Sequence, residues 1–384
     1  MVDLDNVFLR FKLWQAFLPR IKPFYAIKSN NDNMIVKLLS HIGVNFDCAS
    51  KGEIEQVLEL GVSPTEIVYA NPCKQDSSLR FAFEKGVDLM TFDNELELYK
   101  IRDNHPNAKC LLRIKTDDSK SLHKLSTKFG ADEKTSLLLI KKAQRLRLDL
   151  VGIAFHVGCS NMNACVFREE IRKSRELFDY ALNNFGIEMN VLDIGGGFLG
   201  SQSQSDNFKE FAQQLNRIID EFFPHSLLPS KNLRIIAEPG RFFCESSQTL
   251  CSKVIAKRVL TNEVDNIHMY YYLNCGFFSG LMDICMSDEI EKNRFPFLLS
   301  RKTKDLTVKK DTLFLSTVWG PTCDQLDVVF KNKLMIEYEI SDHLLFKDMG
   351  AYSNSIVTKF NSFPVPSHFY AGFQLYDEYK SAFE

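Results

Sequence analysis

Short apolar runs at strand spacing alternate with stretches at helical spacing through the first two-thirds of the chain, and this alternation limits the fold more than any other feature. The strand-like runs cover 23–27, 44–49, 66–70, 87–92, 110–114, 150–157, 190–194 and 233–237. Helical patterns fall between them at 33–42, 51–60, 76–85, 94–103, 136–147, 167–185 and 208–222. Ahead of the first strand, Val7, Leu9, Phe11, Trp14, Phe17 and Leu18 recur at helical spacing, and Pro19 closes that helix. Pro23 can precede its strand but is not expected inside a hydrogen-bonded ladder. Eight strands with eight preceding or intervening helices is the count of a (β/α)8 barrel. A doubly wound open sheet serves the same pattern. After Arg241 the helix rhythm stops, and short β-rich runs follow at 248–256, 266–273, 312–318, 334–338 and 343–347. The chain is therefore read as α/β, with one domain over 1–242 and a mainly β, sandwich-like domain over 243–384.

The totals remove several classes of function. A formal charge of −2 spread over 384 residues leaves no basic stripe for nucleic acid and no charged tail for a membrane surface. The first residues, Met1-Val2-Asp3-Leu4-Asp5, lack the charged and apolar regions of a signal peptide, and no uncharged run reaches membrane-spanning length. Ten cysteines stand at 48, 73, 110, 159, 165, 244, 251, 275, 285 and 323, with no C-x-x-C pair and no histidines at zinc spacing. A cytoplasmic chain with reduced, mostly buried thiols and no metal site is expected.

Five stretches carry residues suited to chemistry. Lys28 ends the first strand, in Phe24-Tyr25-Ala26-Ile27-Lys28. A lysine desolvated at a barrel mouth favours the neutral amine, a nucleophile that forms a Schiff base with an aldehyde cofactor; a solvated lysine just past a strand is the plainer use of the same residue. Three glycines after a strand, in Leu192-Asp193-Ile194-Gly195-Gly196-Gly197-Phe198, free backbone N–H groups to cradle an anion such as phosphate, or simply make a turn. In Glu238-Pro239-Gly240-Arg241, the arginine suits a phosphate and the glutamate a protonated ring nitrogen, unless the two serve a structural ion pair. His156, in Phe155-His156-Val157-Gly158, can stack on a flat ring or sit in a core. Cys323 and Asp324, in Trp319-Gly320-Pro321-Thr322-Cys323-Asp324, can supply a proton donor and a carboxylate for a cationic substrate, although a buried free cysteine is the simpler reading.

Taken together, these stretches resemble the eukaryotic ornithine decarboxylases, barrel-fold pyridoxal-phosphate enzymes of the alanine racemase type. The likeness extends to Phe46-Asp47-Cys48-Ala49-Ser50, Tyr69-Ala70-Asn71-Pro72-Cys73-Lys74-Gln75, Lys128-Phe129-Gly130 and Asp348-Met349-Gly350-Ala351-Tyr352. The Gly-Pro-Thr-Cys-Asp loop favours this family over diaminopimelate decarboxylases. The resemblance implies that Lys28 binds pyridoxal phosphate covalently, with Asp47 and Arg113 in the network around it. It implies that His156 stacks on the ring, that Glu238 pairs with its nitrogen, and that Gly197, Pro239, Gly240, Arg241 and Tyr352 surround its phosphate. Cys323 would return a proton to the carbon that has lost carbon dioxide. Asp324 would grip the distal ammonium of a basic substrate, with Asn274 and Cys275 also at the substrate, and in the family Cys323 and Asp324 come from the partner subunit of a homodimer.

Three departures stand out. Asn274-Cys275-Gly276 replaces Asn-Asp-Gly of the family, removing one carboxylate expected at the substrate's distal ammonium. Cys159 replaces a serine near the phosphate and is the poorer donor. The chain also starts later than the family does, so strands of the β domain would be missing, with Met1–Leu4 their stump. The family includes antizyme inhibitors, catalytically weak or inactive regulators. The stretch between Asn71 and Glu95, which matches the antizyme-binding surface of mammalian relatives, is retained, as are Lys28, Asp47, His156, Glu238, Arg241, Cys323 and Tyr352.

Overall fold

The computed structural model describes residues 1–116, 127–158, 163–201, 205–224, 233–261, 267–286, 295–299, 312–372 and 374–383. A two-residue strand, β1 (Val2–Asp3), leads into helix α1 (Leu4–Phe17). Eight strands then alternate with helices in the order β2 (Ile21–Ala26), α2 (Asn33–His41), β3 (Asn45–Cys48), α3 (Lys51–Glu59), β4 (Ile67–Tyr69), α4 (Asp76–Lys85), β5 (Leu89–Phe92) and α5 (Glu95–Asn104). β6 (Lys109–Arg113), α6 (Glu133–Arg145), β7 (Asp149–Ala154), α7 (Ala164–Phe185), β8 (Val191–Asp193), α8 (Ser205–Phe222) and β9 (Arg234–Ala237) complete the series. β2 to β9 close into a parallel barrel, with β9 returning to β2, so the open sheet is excluded.

Local chemistry sets these elements. Ser50 caps α3 by accepting from Glu53 N, while Glu53 Oε2 accepts from Ala49 N at 2.6 Å, a reciprocal exchange that fixes the helix start. Gly86 and Gly186 end α4 and α7 in the left-handed conformation that stops a helix. Inside the barrel, Phe24, Val68, Leu89, Leu111, Val151, Val191 and Ile236 form one packed cluster. Pro23 lies within β2, contrary to expectation. It is the last residue in register with β9, while pairing to β3 begins at Phe24, so its missing N–H falls where the strand changes neighbours. On the outer side, Trp14 of α1 is fully buried, donates its ring N–H to Ile21 O at 2.8 Å, and packs on Phe198, Phe242 and Phe243.

The chain forms two compact units, each assembled from three segments of the sequence. Val7–Lys28, Asn33–Phe243 and Leu375–Glu384 make the barrel unit; Met1–Asn6, Ser29–Asp32 and Cys244–Gln374 make the β unit. Short segments thus cross the division that the change of rhythm after Arg241 suggests. Helix α9 (Arg241–Cys244) spans this change and precedes β10 (Leu250–Thr261) and β11 (Ile267–Leu273). After a short helix, α10 (Met282–Met286), come β12 (Phe297–Leu298), β13 (Leu313–Trp319), β14 (Val328–Ile336), β15 (His343–Phe346) and β16 (Tyr370–Ala371). Six of these strands form one sheet, in the order β12-β15-β10-β11-β13-β14, and β1 pairs separately with β16. Leu281, Ile284, Tyr338 and Met349 join the strand residues Val254, Leu273, Val318 and Phe346 in a single core.

Candidate active site

β2 ends in a single 3₁₀ turn, Ile27–Ser29, which carries Lys28 past the strand. Ala26 stands opposite Asp47 in the register of β2 on β3, so Lys28 reaches back to the carboxylate on the neighbouring strand. Its Nζ forms an ion pair with Asp47 Oδ2. The carboxylate is wholly buried, but the lysine side chain is 41 % exposed, so the expected desolvation of the amine falls on its partner instead. Burial pushes the Asp47 carboxyl up, while Lys28, and more weakly Arg113, pull it back. The other oxygen, Asp47 Oδ1, is buried and has no hydrogen-bond partner among the described residues.

His156 lies two residues beyond β7. Gly158 N donates to its Nδ1 at 3.1 Å, which puts the proton of the neutral ring on Nε2. That ring packs against the triple glycine: a Cβ at Gly196 would lie 2.9 Å from His156 Nε2 and 2.8 Å from Glu238 O. Gly197 has φ +101° and runs so close to Gly158 O that a side chain would collide with it. The glycines therefore bring three loops, those of His156, Gly195–197 and Glu238, into backbone contact. Trp14 stiffens the same region by packing on Phe198, next to Gly197, and on Phe242, next to Arg241. Arg241 is buried at the start of α9.

One residue of this cluster was overlooked in the sequence. Asp193 ends β8, is fully buried, and accepts from Gly195 N at 2.9 Å through Oδ1. Its Oδ2 meets no N–H or O–H donor among the described residues, and the carboxyl beside it is Glu238, so the two can bond only when one carries a proton. Burial pushes Asp193 up to about 7. Glu238 is driven well above the usual carboxylate range by burial and by the charges of Asp193 and Asp47, against the pull of Lys28 and Arg113. An aspartate closing a strand, one residue ahead of three glycines, was the available signal.

The remaining candidates lie in the β unit, except Cys159, which is outside the described residues. Cys323 is exposed rather than buried, and its N–H donates to Asn361 Oδ1 at 3.3 Å. Asp324 is half-buried and accepts from Leu326 N at 2.8 Å. Tyr352 holds a left-handed φ of +50°, and its N–H donates to Ser29 O at 2.8 Å, one residue from Lys28 in the chain. Asn274 is exposed, with its side-chain oxygen taken by Ser252 Oγ and Lys253 N.

Cys275, expected to meet a substrate, is turned inward in this chain. Its thiol is buried in the core of the β unit, donates to Ser279 O at 2.8 Å, and is pushed up to about 11 by burial. The chain turns inward at this residue because the following turn closes with Gly276 N on Ser279 Oγ.

A lysine on a turn at the C-terminal end of a barrel strand, a glycine cradle and converging buried carboxyls define a barrel enzyme with its site at the strand ends. The buried, unpartnered oxygens of Asp47 and Asp193 and the cradle that admits no Cβ fit a phosphorylated, nitrogen-containing ring such as pyridoxal phosphate. Residues 4–245 match the family described as pyridoxal-dependent decarboxylase, pyridoxal binding domain, and the chain belongs to it. Ornithine decarboxylase of Schizosaccharomyces pombe is 42 % identical over 94 % of this chain and 81 % of its own length. Antizyme inhibitor 2 of Xenopus laevis is 40 % identical over 94 % of this chain and 78 % of its own. The crystal structure of the Paramecium bursaria Chlorella virus arginine decarboxylase superposes with a TM-score of 0.87 at 35 % identity, covering 96 % of this chain and 94 % of that one. No helix of the described residues is long and apolar enough to cross a membrane, and none of their His, Cys, Asp and Glu clusters is arranged to hold a metal ion.

Proposed function

We propose that the chain decarboxylates ornithine, or a similar basic amino acid, to a diamine that feeds polyamine synthesis. The observation that carries this reading is the Lys28–Asp47 ion pair at the ends of adjacent barrel strands, with Arg113 drawing on the same carboxylate and that carboxylate facing Glu238. When bound, pyridoxal phosphate supplies an aldehyde for an amine and a ring that draws in the electron pair left behind on the substrate when carbon dioxide departs. Lys28 would hold it through Nζ, and Asp47 would orient that amine. His156 would cover one face of the ring and Glu238 would face its nitrogen. Gly197, Pro239, Gly240, Arg241 and Tyr352, and Cys159 if its thiol suffices, would hold the phosphate. In a homodimer, Cys323 Sγ would return the proton and Asp324 would grip the distal ammonium in the second subunit's site. Asn274 would act only by shaping its turn. A reducing, cytoplasmic setting accompanies this reading, supported by the free thiols of the described cysteines.

Carbon dioxide release from ornithine, lysine and arginine, measured on the purified chain with added pyridoxal phosphate, tests the proposal. Ornithine should lead, and no release from any of the three would refute it. A second reading, an antizyme-binding regulator of weak or no activity, is favoured by the likeness to antizyme inhibitor 2. The stretch between Asn71 and Glu95 is a firm platform for it: Lys74 is fully buried, with Nζ on Glu97 Oε1 at 2.9 Å and Thr91 O at 2.7 Å. Antizyme capture without carbon dioxide release would favour the regulator.

A further inference from the structure

The loop that carries Cys323 and Asp324 contains a third reactive-looking side chain, and it points the other way. Asp327 is 1 % exposed, although Cys323 is open and Asp324 half-open. Both of its carboxylate oxygens are engaged by backbone donors from different segments. Phe277 N donates to Oδ1 at 2.7 Å, and Thr322 N donates to Oδ2 at 2.8 Å. The main chain of Asp327 closes the loop as well, accepting from Gly320 N at 2.8 Å and donating to Asp324 O at 3.1 Å.

Two glycines leave the space this carboxylate fills. A Cβ at Gly320 would lie 2.0 Å from Asp327 Oδ1, and one at Gly276 would lie 2.1 Å from the same atom. Gly276 has an extended backbone that any residue could adopt, so room, not conformation, explains the glycine there. A second tie joins the same two segments. Phe278 packs on Phe360 with ring centroids 4.7 Å apart, and the neighbouring Asn361 accepts from Cys323 N. The segments so joined bear Asn274 and Cys275 on one side and Cys323 and Asp324 on the other.

We propose that Asp327 is the positioning residue of the Cys323–Asp324 loop, tying it to the 274–280 turn through two backbone N–H groups and setting where the Cys323 thiol stands. The proposal rests on the catalytic reading above for the importance of that placement, but the tie itself does not. A carboxylate buried to this degree is tolerable only when its oxygens are satisfied, and bonds to an ionised acceptor are the strong kind. Without it the loop loses its inner anchor, while the barrel residues proposed to hold the cofactor are untouched.

The test compares Asp327→Ala, Asp327→Asn, Gly320→Ala and the Gly320→Ala/Asp327→Ala double variant in the full chain reconstituted with pyridoxal phosphate. Three readouts are taken: the alkylation rate of Cys323 by iodoacetamide followed by peptide mass, kcat and KM for ornithine, and the visible absorbance of bound cofactor. Asp327→Ala should lower kcat about tenfold or more, the equivalent of one charge-assisted hydrogen bond, and change Cys323 alkylation by about threefold or more. Cofactor absorbance should stay unchanged. Asp327→Asn, which keeps one acceptor, should fall between. Gly320→Ala alone should match the loss, because its methyl displaces the carboxylate. In the double variant that methyl meets empty space, so the added loss should stay within about twofold.

Unchanged alkylation and kcat in both Asp327 variants would overturn the proposal, as would losses that multiply in the double variant. Failure of even Asp327→Asn to fold would assign the residue to general stability and overturn it too. If the unsubstituted chain releases no carbon dioxide, the decarboxylase reading fails, yet the alkylation rates still decide whether Asp327 sets the loop.

Discussion

Replacing Asp193 with asparagine should flatten the pH dependence of the chain's stability. Asp193 is fully buried at the end of β8, with Oδ1 on Gly195 N and Oδ2 offered no donor except a protonated Glu238. Burial raises its carboxyl from 3.8 to about 7. Between those values the folded chain keeps a proton that the unfolded chain releases. The raised carboxyl therefore favours the native state most at low pH, and that advantage shrinks as pH climbs toward 7. One such proton gives a slope of up to about 1.4 kcal/mol per pH unit. The proton belongs to the Asp193–Glu238 pair, so the slope does as well. An asparagine amide can donate to Glu238 permanently, which removes the need for the proton. Urea unfolding of the cofactor-free chain at pH 5, 6 and 7, followed by circular dichroism, measures the effect. The native chain should lose stability across this range faster than Asp193→Asn does, by about 1 kcal/mol per pH unit. Parallel slopes would refute the shared proton.

Lys28→Ala should abolish the visible absorbance of bound pyridoxal phosphate, and borohydride treatment of the unsubstituted chain should leave the label on Lys28; a coloured Lys28→Ala chain would argue against the assignment. Trp14→Ala should cost about 3–5 kcal/mol by thermal or urea unfolding and weaken cofactor retention, because the indole packs on Phe198 and Phe242 beside Gly197 and Arg241. Cys275→Asp should destabilise the chain by about 1–3 kcal/mol by placing a buried acceptor against Ser279 O, whereas Cys275→Ser keeps the donor and should cost less. Mixing inactive Lys28→Ala and Cys323→Ala chains should restore roughly a quarter of native activity if a two-fold dimer shares its sites, since half of the dimers would be mixed and each of these would hold one intact site.

Much of the barrel was legible because its strands obey one rule. Each runs only a few residues, is buried on both faces, and is separated from the next by an amphipathic helix, so apolar runs mark all eight. The observed ends differ mostly by a residue or two, as at β8, expected over 190–194 and found at Val191–Asp193. Pro23 escaped the rule because a strand that changes neighbours midway can spare one N–H, which only the closed register reveals. The crossing segments escaped it for a similar reason. Nothing local to Ser29–Asp32 says that Asn30 donates to Gly350 O or that Asp32 accepts from His368 and Tyr370, far along the chain.

The candidate site divides along the same line. Lys28, Asp47, Asp193 and Glu238 sit on or just past regular strands, where register alone brings neighbouring side chains to one end of the barrel. Lys28 and Glu238 were legible from their places at strand ends, Asp47 entered only through the family resemblance, and Asp193 was missed, hidden in a motif noticed for its glycines. Cys275, Cys323 and Asp327 occupy turns, where a residue's position in a motif does not fix the direction of its side chain. Whether a turn residue faces outward or inward there depends on which backbone N–H groups need an acceptor. Phe277 and Thr322 have theirs in Asp327, Gly276 has its own in Ser279, and the thiol of Cys275 is left to face the core. The cysteine that stands for an expected substrate-binding acid is thus an inward residue, and the inward acid of the neighbouring loop is the one that holds the two turns together.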